Sequence, residues 1–124
     1  GVMISPDVVH GMTYGGIAHG LGAALMEKFA YSPDGQLLAG TFMDYLMPSA
    51  LEVPAITIVD HCTPSPLTEF GQKGSGEAGY LGSPAAIASA VNDALSTQGA
   101  KIDHLPMTPQ AIWSALNVAR AAQA

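Results

Sequence analysis

Between Val8 and Phe29, small and large apolar residues are interleaved in a way that leaves few folding options. Gly11, Gly15, Gly16, Ala18, Gly20, Gly22, Ala23 and Ala24 alternate with Met12, Ile17, Leu21, Leu25 and Met26, and the spacing 17, 21, 25 marks one face of a helix. Each glycine costs an isolated helix about 1 kcal/mol relative to alanine, so a helix over Val8–Phe29 must be held by tertiary contacts. Its bare flank is suited to lying very close to a sheet or another helix.

The remaining segments are set by their turn chemistry. Ser32-Pro33-Asp34-Gly35 is a turn, with proline preset at its second position, and Gln36 to Phe42 then reads as a strand. Ile56 to Asp60 is β-branched enough to read as a second strand. Thr63-Pro64-Ser65-Pro66-Leu67 is neither helix nor central strand, because its two prolines remove donors and extend their predecessors. Ser83-Pro84 and Thr108-Pro109 each pair an N-cap hydroxyl with a proline at the first helical position, which predicts helices over 84–96 and 109–122. Strands and helices do not alternate regularly, and no repeat or linker divides the chain. The expectation is one α+β domain over residues 1–124, its helices packed on a small mixed or antiparallel sheet.

Charged residues make up only 11% of the chain and hydrophobic ones 48%, against about 25% charged in an ordinary soluble domain. A chain so poor in surface residues is expected to be part of something larger. The longest apolar candidate, Ile17 to Phe29, is broken by His19, Glu27, Lys28 and two glycines, short of the roughly 18 apolar residues of a membrane span. The first residues lack a basic segment followed by an apolar one, so no signal peptide is visible and a cytoplasmic location is expected. Ten acidic residues against four scattered basic ones, a net charge of −6, disfavour nucleic acid as a partner. Cys62 stands alone, which excludes an intrachain disulfide and a cysteine-based metal cage.

Residues 71 to 84, Gly-Gln-Lys-Gly-Ser-Gly-Glu-Ala-Gly-Tyr-Leu-Gly-Ser-Pro, place one carboxylate, Glu77, among neighbours too small to shield it. Most glutamates in loops are merely solvated. Here a body docked on the loop would strip water from Glu77 and strengthen it as a general base, an effect that Lys73 opposes if it folds back. Gly74-Ser-Gly76-Glu-Ala-Gly79 also matches G-x-G-x-x-G, a nucleotide-binding signature. That signature follows a buried strand and opens directly into a helix, whereas Thr68-Glu69-Phe70-Gly71-Gln72-Lys73 precedes it here and the expected helix waits until Pro84. His10, His19, His61 and His104 lack the spacing of a local metal-ligand set and read as structural. Ser75 and Ser83 lack the G-x-S-x-G elbow of a nucleophile.

Thr63-Pro-Ser-Pro-Leu, Gly71-Gln-Lys-Gly-Ser-Gly-Glu-Ala-Gly and Gly82-Ser-Pro-Ala-Ala-Ile-Ala-Ser-Ala-Val-Asn-Asp-Ala-Leu together resemble the C-terminal region of the molybdenum hydroxylase large subunit, the family of xanthine oxidase, aldehyde oxidase and aerobic carbon monoxide dehydrogenase. Gly15-Gly-Ile-Ala-His-Gly-Leu-Gly, Phe42-Met-Asp-Tyr-Leu-Met-Pro and Leu105-Pro-Met-Thr-Pro-Gln-Ala-Ile-Trp extend the resemblance, in the same order, over nearly the whole chain. The resemblance implies a fragment of the molybdopterin-binding domain of an enzyme that oxidises an aldehyde, an N-heterocycle or carbon monoxide with water as oxygen source. It implies that Glu77 is the general base at a hydroxyl on molybdenum, and that Gln72, Lys73, Gly74, Ser75 and Gly76 line the cofactor, a molybdopterin in dinucleotide form. FAD and iron–sulfur clusters are then carried by other domains or subunits, the remainder of the large subunit is a partner, and the isolated chain is inactive and binds no cofactor by itself. Where the family usually carries a glutamine, this sequence has Met12, whose thioether cannot donate a hydrogen bond. That departure keeps open a second role, a noncatalytic domain that completes and assembles the subunit.

Overall fold

Proline at a first helical turn costs nothing, because its missing N–H would be unpaired there anyway. Pro6 opens helix α1, Pro6–Leu25, in a computed structural model that describes residues 1–122. α1 ends earlier than the sequence suggested: the amides of Met26 and Glu27 both return to the Gly22 carbonyl, at 2.9 and 2.8 Å, and close its last turn. Helix α2 covers Ala78–Ser96 and helix α3 covers Pro109–Ala121. α3 starts as its sequence demands, with the Thr108 hydroxyl accepting from the Ala111 amide at 3.2 Å.

The expected start of α2 is corrected. Ser83 is not an N-cap but an interior residue whose hydroxyl donates to the Gly79 carbonyl one turn back. Pro84 is carried inside the helix, where its missing N–H forfeits a single bond, the one that would reach the Tyr80 carbonyl.

The glycine flank of α1 does lie against a neighbour, and the neighbour is a helix. A Cβ added at Gly16 would stand 2.8 Å from the Tyr80 nitrogen, and one at Gly79 would stand 2.3 Å from the Thr13 carbonyl oxygen. Backbone meets backbone where α1 and α2 cross.

The expected sheet is absent: among the described residues there is no strand. Around the turn at Gly35, whose φ of +84° requires glycine, Leu37 forms an isolated antiparallel bridge with Tyr31. Ile56–Asp60 is laid along α1 instead of pairing, with Tyr14 Oη donating to the Ile56 carbonyl at 3.4 Å and His10 Nε2 within 2.9 Å of Asp60 Oδ2. A β-branched run becomes a strand only when another extended backbone supplies matching donors and acceptors, and here helix side chains occupy that side. At the other end of α1, Tyr45 Oη donates to Glu27 Oε2 at 2.5 Å, and this bond to a carboxylate holds the phenol above its ordinary range.

The core lies at the C-terminal end of α2, where Leu95, Ala100, Ile102, Met107 and Ala119 are buried together. The loop between α2 and α3 is held there by Asn92, whose Nδ2 donates to the Ile102 carbonyl at 2.8 Å while its Oδ1 accepts from the Ile102 amide at 2.9 Å. Replacing Asn92 by Ala should lower stability by about 2 kcal/mol, two bonds at roughly 1 kcal/mol each. A urea midpoint that does not move would show that water satisfies Ile102 equally well.

Large apolar side chains elsewhere are bare: Leu51 is 94% exposed, Leu67 92%, Met43 87% and Val59 85%. No helix among the described residues is long and apolar enough to cross a membrane.

Candidate functional site

A glycine with positive φ pins the start of the loop that carries Glu77. Gly71 has φ +69°, and a Cβ there would stand 3.1 Å from Pro64 Cβ and 3.2 Å from Val2 Cγ2. Its carbonyl accepts from the amides of Val2, at 2.9 Å, and Ser65, at 3.0 Å. The loop therefore springs from a junction of three segments.

Beyond that junction the residues diverge. Gln72 turns back into its own loop: its Oε1 accepts from the Phe70 amide at 3.1 Å, and its carbonyl accepts from the Thr68 hydroxyl at 2.9 Å. Lys73 Nζ donates to Thr63 Oγ1 at 3.0 Å, so it is tied to the proline segment and does not fold onto Glu77. Lys73, Gly74 and Ser75 line a small cleft of about 160 Å³, shared with Asp60, His61 and Cys62. Gly76 and Glu77 line a different one, of about 270 Å³, with Met12, Gly15, Gly16, His19 and Tyr80. Of the six sequence-derived site residues, the fold puts only Gly76 in the cleft of Glu77, groups Lys73, Gly74 and Ser75 in the other, and gives Gln72 a bracing role.

Glu77 is the N-cap residue of α2, with φ −104° and ψ 8°. Its carbonyl accepts from the amides of Tyr80, at 3.0 Å, and Leu81, at 3.3 Å, while its carboxylate makes no capping bond and is exposed. The base of the helix fixes where Glu77 starts, and nothing among the described side chains occupies its carboxylate. Opposite it, Met12 Cε lies 3.8 Å from where a Gly76 Cβ would be. The rings of His19 and Tyr80 are 4.5 Å apart, centre to centre.

Sequence reasoning missed His19 and Tyr80. His19 read as a structural histidine, yet the positions 12, 16 and 19 share one helical face, so the signal was present once the loop's landing place on α1 was known. Among the described residues no group of three or more His, Cys, Asp or Glu side chains is arranged to hold a metal ion. A larger groove, about 680 Å³ between α3 and residues 99–104, shares no lining residue with the Glu77 cleft. Its Asp103 and His104 are paired with each other at 3.2 Å, and its size reflects an open flank of α3. The cleft at Glu77 is therefore the candidate site.

Residues 1–54 match the profile of the molybdopterin cofactor-binding domain family. The chain is 44% identical to the 6-hydroxypseudooxynicotine dehydrogenase complex subunit gamma of Paenarthrobacter nicotinovorans, over 92% of this chain and 14% of that protein. It is 33% identical to the carbon monoxide dehydrogenase large chain of Hydrogenophaga pseudoflava, over 94% of this chain and 14% of that protein. Among solved structures it superposes on quinoline 2-oxidoreductase from Pseudomonas putida 86 with a TM-score of 0.91 and 44% identity, covering 94% of this chain and 15% of that one. The chain thus spans about one seventh of the length of these relatives.

Proposed function

Because the chain belongs to the molybdenum hydroxylase large-subunit family, we propose that it is the C-terminal portion of the molybdopterin-binding domain of such an enzyme and supplies its carboxylate base. The observation that carries this reading is Glu77 itself, an exposed carboxylate with no capping bond, at the lip of a cleft formed by two helices whose crossing is fixed by glycine.

The residues present fit a molybdopterin. Nothing lies within 4 Å of the Cβ position at Gly74, so a flat or phosphorylated body can approach the backbone there. The N-terminus of α2 has no side-chain cap, which leaves N–H groups directed at an anion, and Ser75 adds a hydroxyl. Gly74, Ser75 and Gly76 are the residues proposed to hold the cofactor. Lys73, tethered to Thr63, adds positive charge beside it, and Gln72 keeps the loop in shape. When bound, molybdopterin supplies a redox-active metal that takes up the electrons of substrate oxidation. Glu77 accepts a proton at a carboxylate oxygen as water-derived oxygen is transferred to the electron-poor carbon of an aldehyde, an N-heterocycle or carbon monoxide.

Exposed Leu51, Leu67, Met43 and Val59 are proposed to be covered by the rest of the large subunit, since patches of this kind mark contact surfaces. Iron–sulfur and FAD groups on other domains or subunits would supply the route by which electrons leave, and a cytoplasmic location is proposed for the assembled enzyme. Oxidation of an N-heterocycle in heavy-oxygen water tests the reading. The label should enter the product, and label drawn from molecular oxygen instead would remove it.

Met12 favours a second reading, a noncatalytic domain that completes the subunit. Its thioether stands beside Gly76, where the family resemblance places a hydrogen-bonding glutamine. Stoichiometric molybdenum in an assembled enzyme whose turnover ignores Glu77 would support that role.

A further inference from the structure

Between Pro54 and Pro64 the chain runs without helix, turn or bend, and its sequence there, Ala-Ile-Thr-Ile-Val-Asp-His-Cys-Thr, is dominated by β-branched residues. Its backbone is almost unused. Among the described residues no amide from Ala55 to Thr63 donates to a protein acceptor, and the one carbonyl engaged is that of Ile56, which accepts from the Tyr14 hydroxyl.

The side chains nevertheless alternate as those of a strand do. Ile56 and Ile58 are half-buried and Asp60 meets His10 of α1, whereas Thr57 and Val59 between them are exposed. One face is therefore seated on the helix and the opposite face is bare. A strand seated in this way directs its rows of N–H and C=O groups sideways, and only another extended backbone matches those rows at their spacing. Edges meant for solvent carry charges or internal prolines that repel a neighbour. This run has no Lys, Arg or Glu, its single Asp is engaged by His10, and its prolines stand only at the two ends, where pairing stops.

We propose that residues 55–63 are a strand completed from outside this chain: an extended segment in the remainder of the same large subunit pairs with it, and the sheet so formed lies across α1. The chain spans only about one seventh of the length of its relatives, so most of such a subunit is available to supply the segment. An edge this poor in charge suits a permanent contact over a transient one. The inference rests on the reading of the chain as a portion of that subunit, and not on the role of Glu77.

Hydrogen exchange, resolved residue by residue, is measured on the full-length enzyme assembled with its partners. Successive amides of a strand point to opposite edges, so a neighbour on one edge slows alternate amides of 55–63 by about 100-fold or more against an unstructured peptide, and neighbours on both edges slow them all. Thr57→Pro and Ile58→Pro, each beside the alanine variant at the same position, separate pairing from plain burial. Proline at a protected amide should lower molybdenum content and the thermal midpoint well beyond alanine. Exchange of every amide at the peptide's rate overturns the proposal, as does proline no worse than alanine at the protected positions. Protection that vanishes when the other subunits are stripped away, or falls on dilution, assigns the strand to another subunit or a second copy and overturns the choice of the same subunit. The subunit's mass, read in the same spectra, checks the reading beneath the proposal: a subunit no longer than this chain removes that reading, whatever the exchange shows.

Discussion

Glu77→Gln in the full-length enzyme is expected to lower turnover by about 100- to 10,000-fold, the range over which general bases act, with molybdenum content at its wild-type level. The substitution keeps the side chain's length and shape and removes only its ability to take a proton. Glu77 enters the structure through its backbone, whose carbonyl accepts from Tyr80 and Leu81, so α2 should start in the same place with either residue. Because its carboxylate has no capping partner and is exposed, no buried network has to be rebuilt around the amide. Lys73 is bound to Thr63, so the substitution breaks no ion pair between the two. Turnover within a few fold of wild type, at normal molybdenum content, would leave Glu77 without a catalytic role and favour the assembly domain.

Gly79→Ala is expected to be the most destabilising single methyl addition in the α1–α2 crossing. The new Cβ would stand 2.3 Å from the Thr13 carbonyl oxygen, a backbone atom held inside α1 and unable to swing aside. Alanine favours a helix over glycine by about 1 kcal/mol, while overpacking costs about 1–3 kcal/mol and sometimes more. With contact this short the steric loss wins, and the net change should be a loss of about 1–2 kcal/mol or outright unfolding. Gly11→Ala is the matched control: nothing lies within 4 Å of its Cβ position, so only the propensity gain of about 0.5–1 kcal/mol remains. Urea melts of both variants decide the matter. Equal midpoints would mean the two helices are not in backbone contact.

The glycine pattern made that crossing legible in the sequence, except for the identity of the neighbour. Small residues state that something comes close, but they do not encode whether a sheet or a helix does. Thr108-Pro109 signalled its helix correctly because the threonine hydroxyl has one use there, whereas the same chemistry at Ser83-Pro84 misled. A serine hydroxyl can also bond one turn back within a helix, and a proline early in a helix forfeits a single bond, so the motif is compatible with an earlier start. The true start at Ala78 was hidden by Gly79 and Gly82, which read as loop. Gln36–Phe42 and Ile56–Asp60 carried strand composition without strand partners, and pairing is a property of two segments that neither reveals alone. Glu77 stood out as a candidate from its bare neighbours; the ring contact of His19 with Tyr80 did not, because it joins α1 to α2 across a long sequence separation.

α2 runs 19 residues, about 28 Å at 1.5 Å per residue. Its far end is set in the cluster around Leu95 and Ile102, its near end in the Gly16 contact, and Glu77 projects from the tip. The helix behaves as a beam clamped at two points, so the domain's resistance to unfolding and the aim of its carboxylate are governed by different stretches of the same rod. Substitutions around Ile102 can therefore harden or soften the domain while the two-glycine clamp keeps the tip on target.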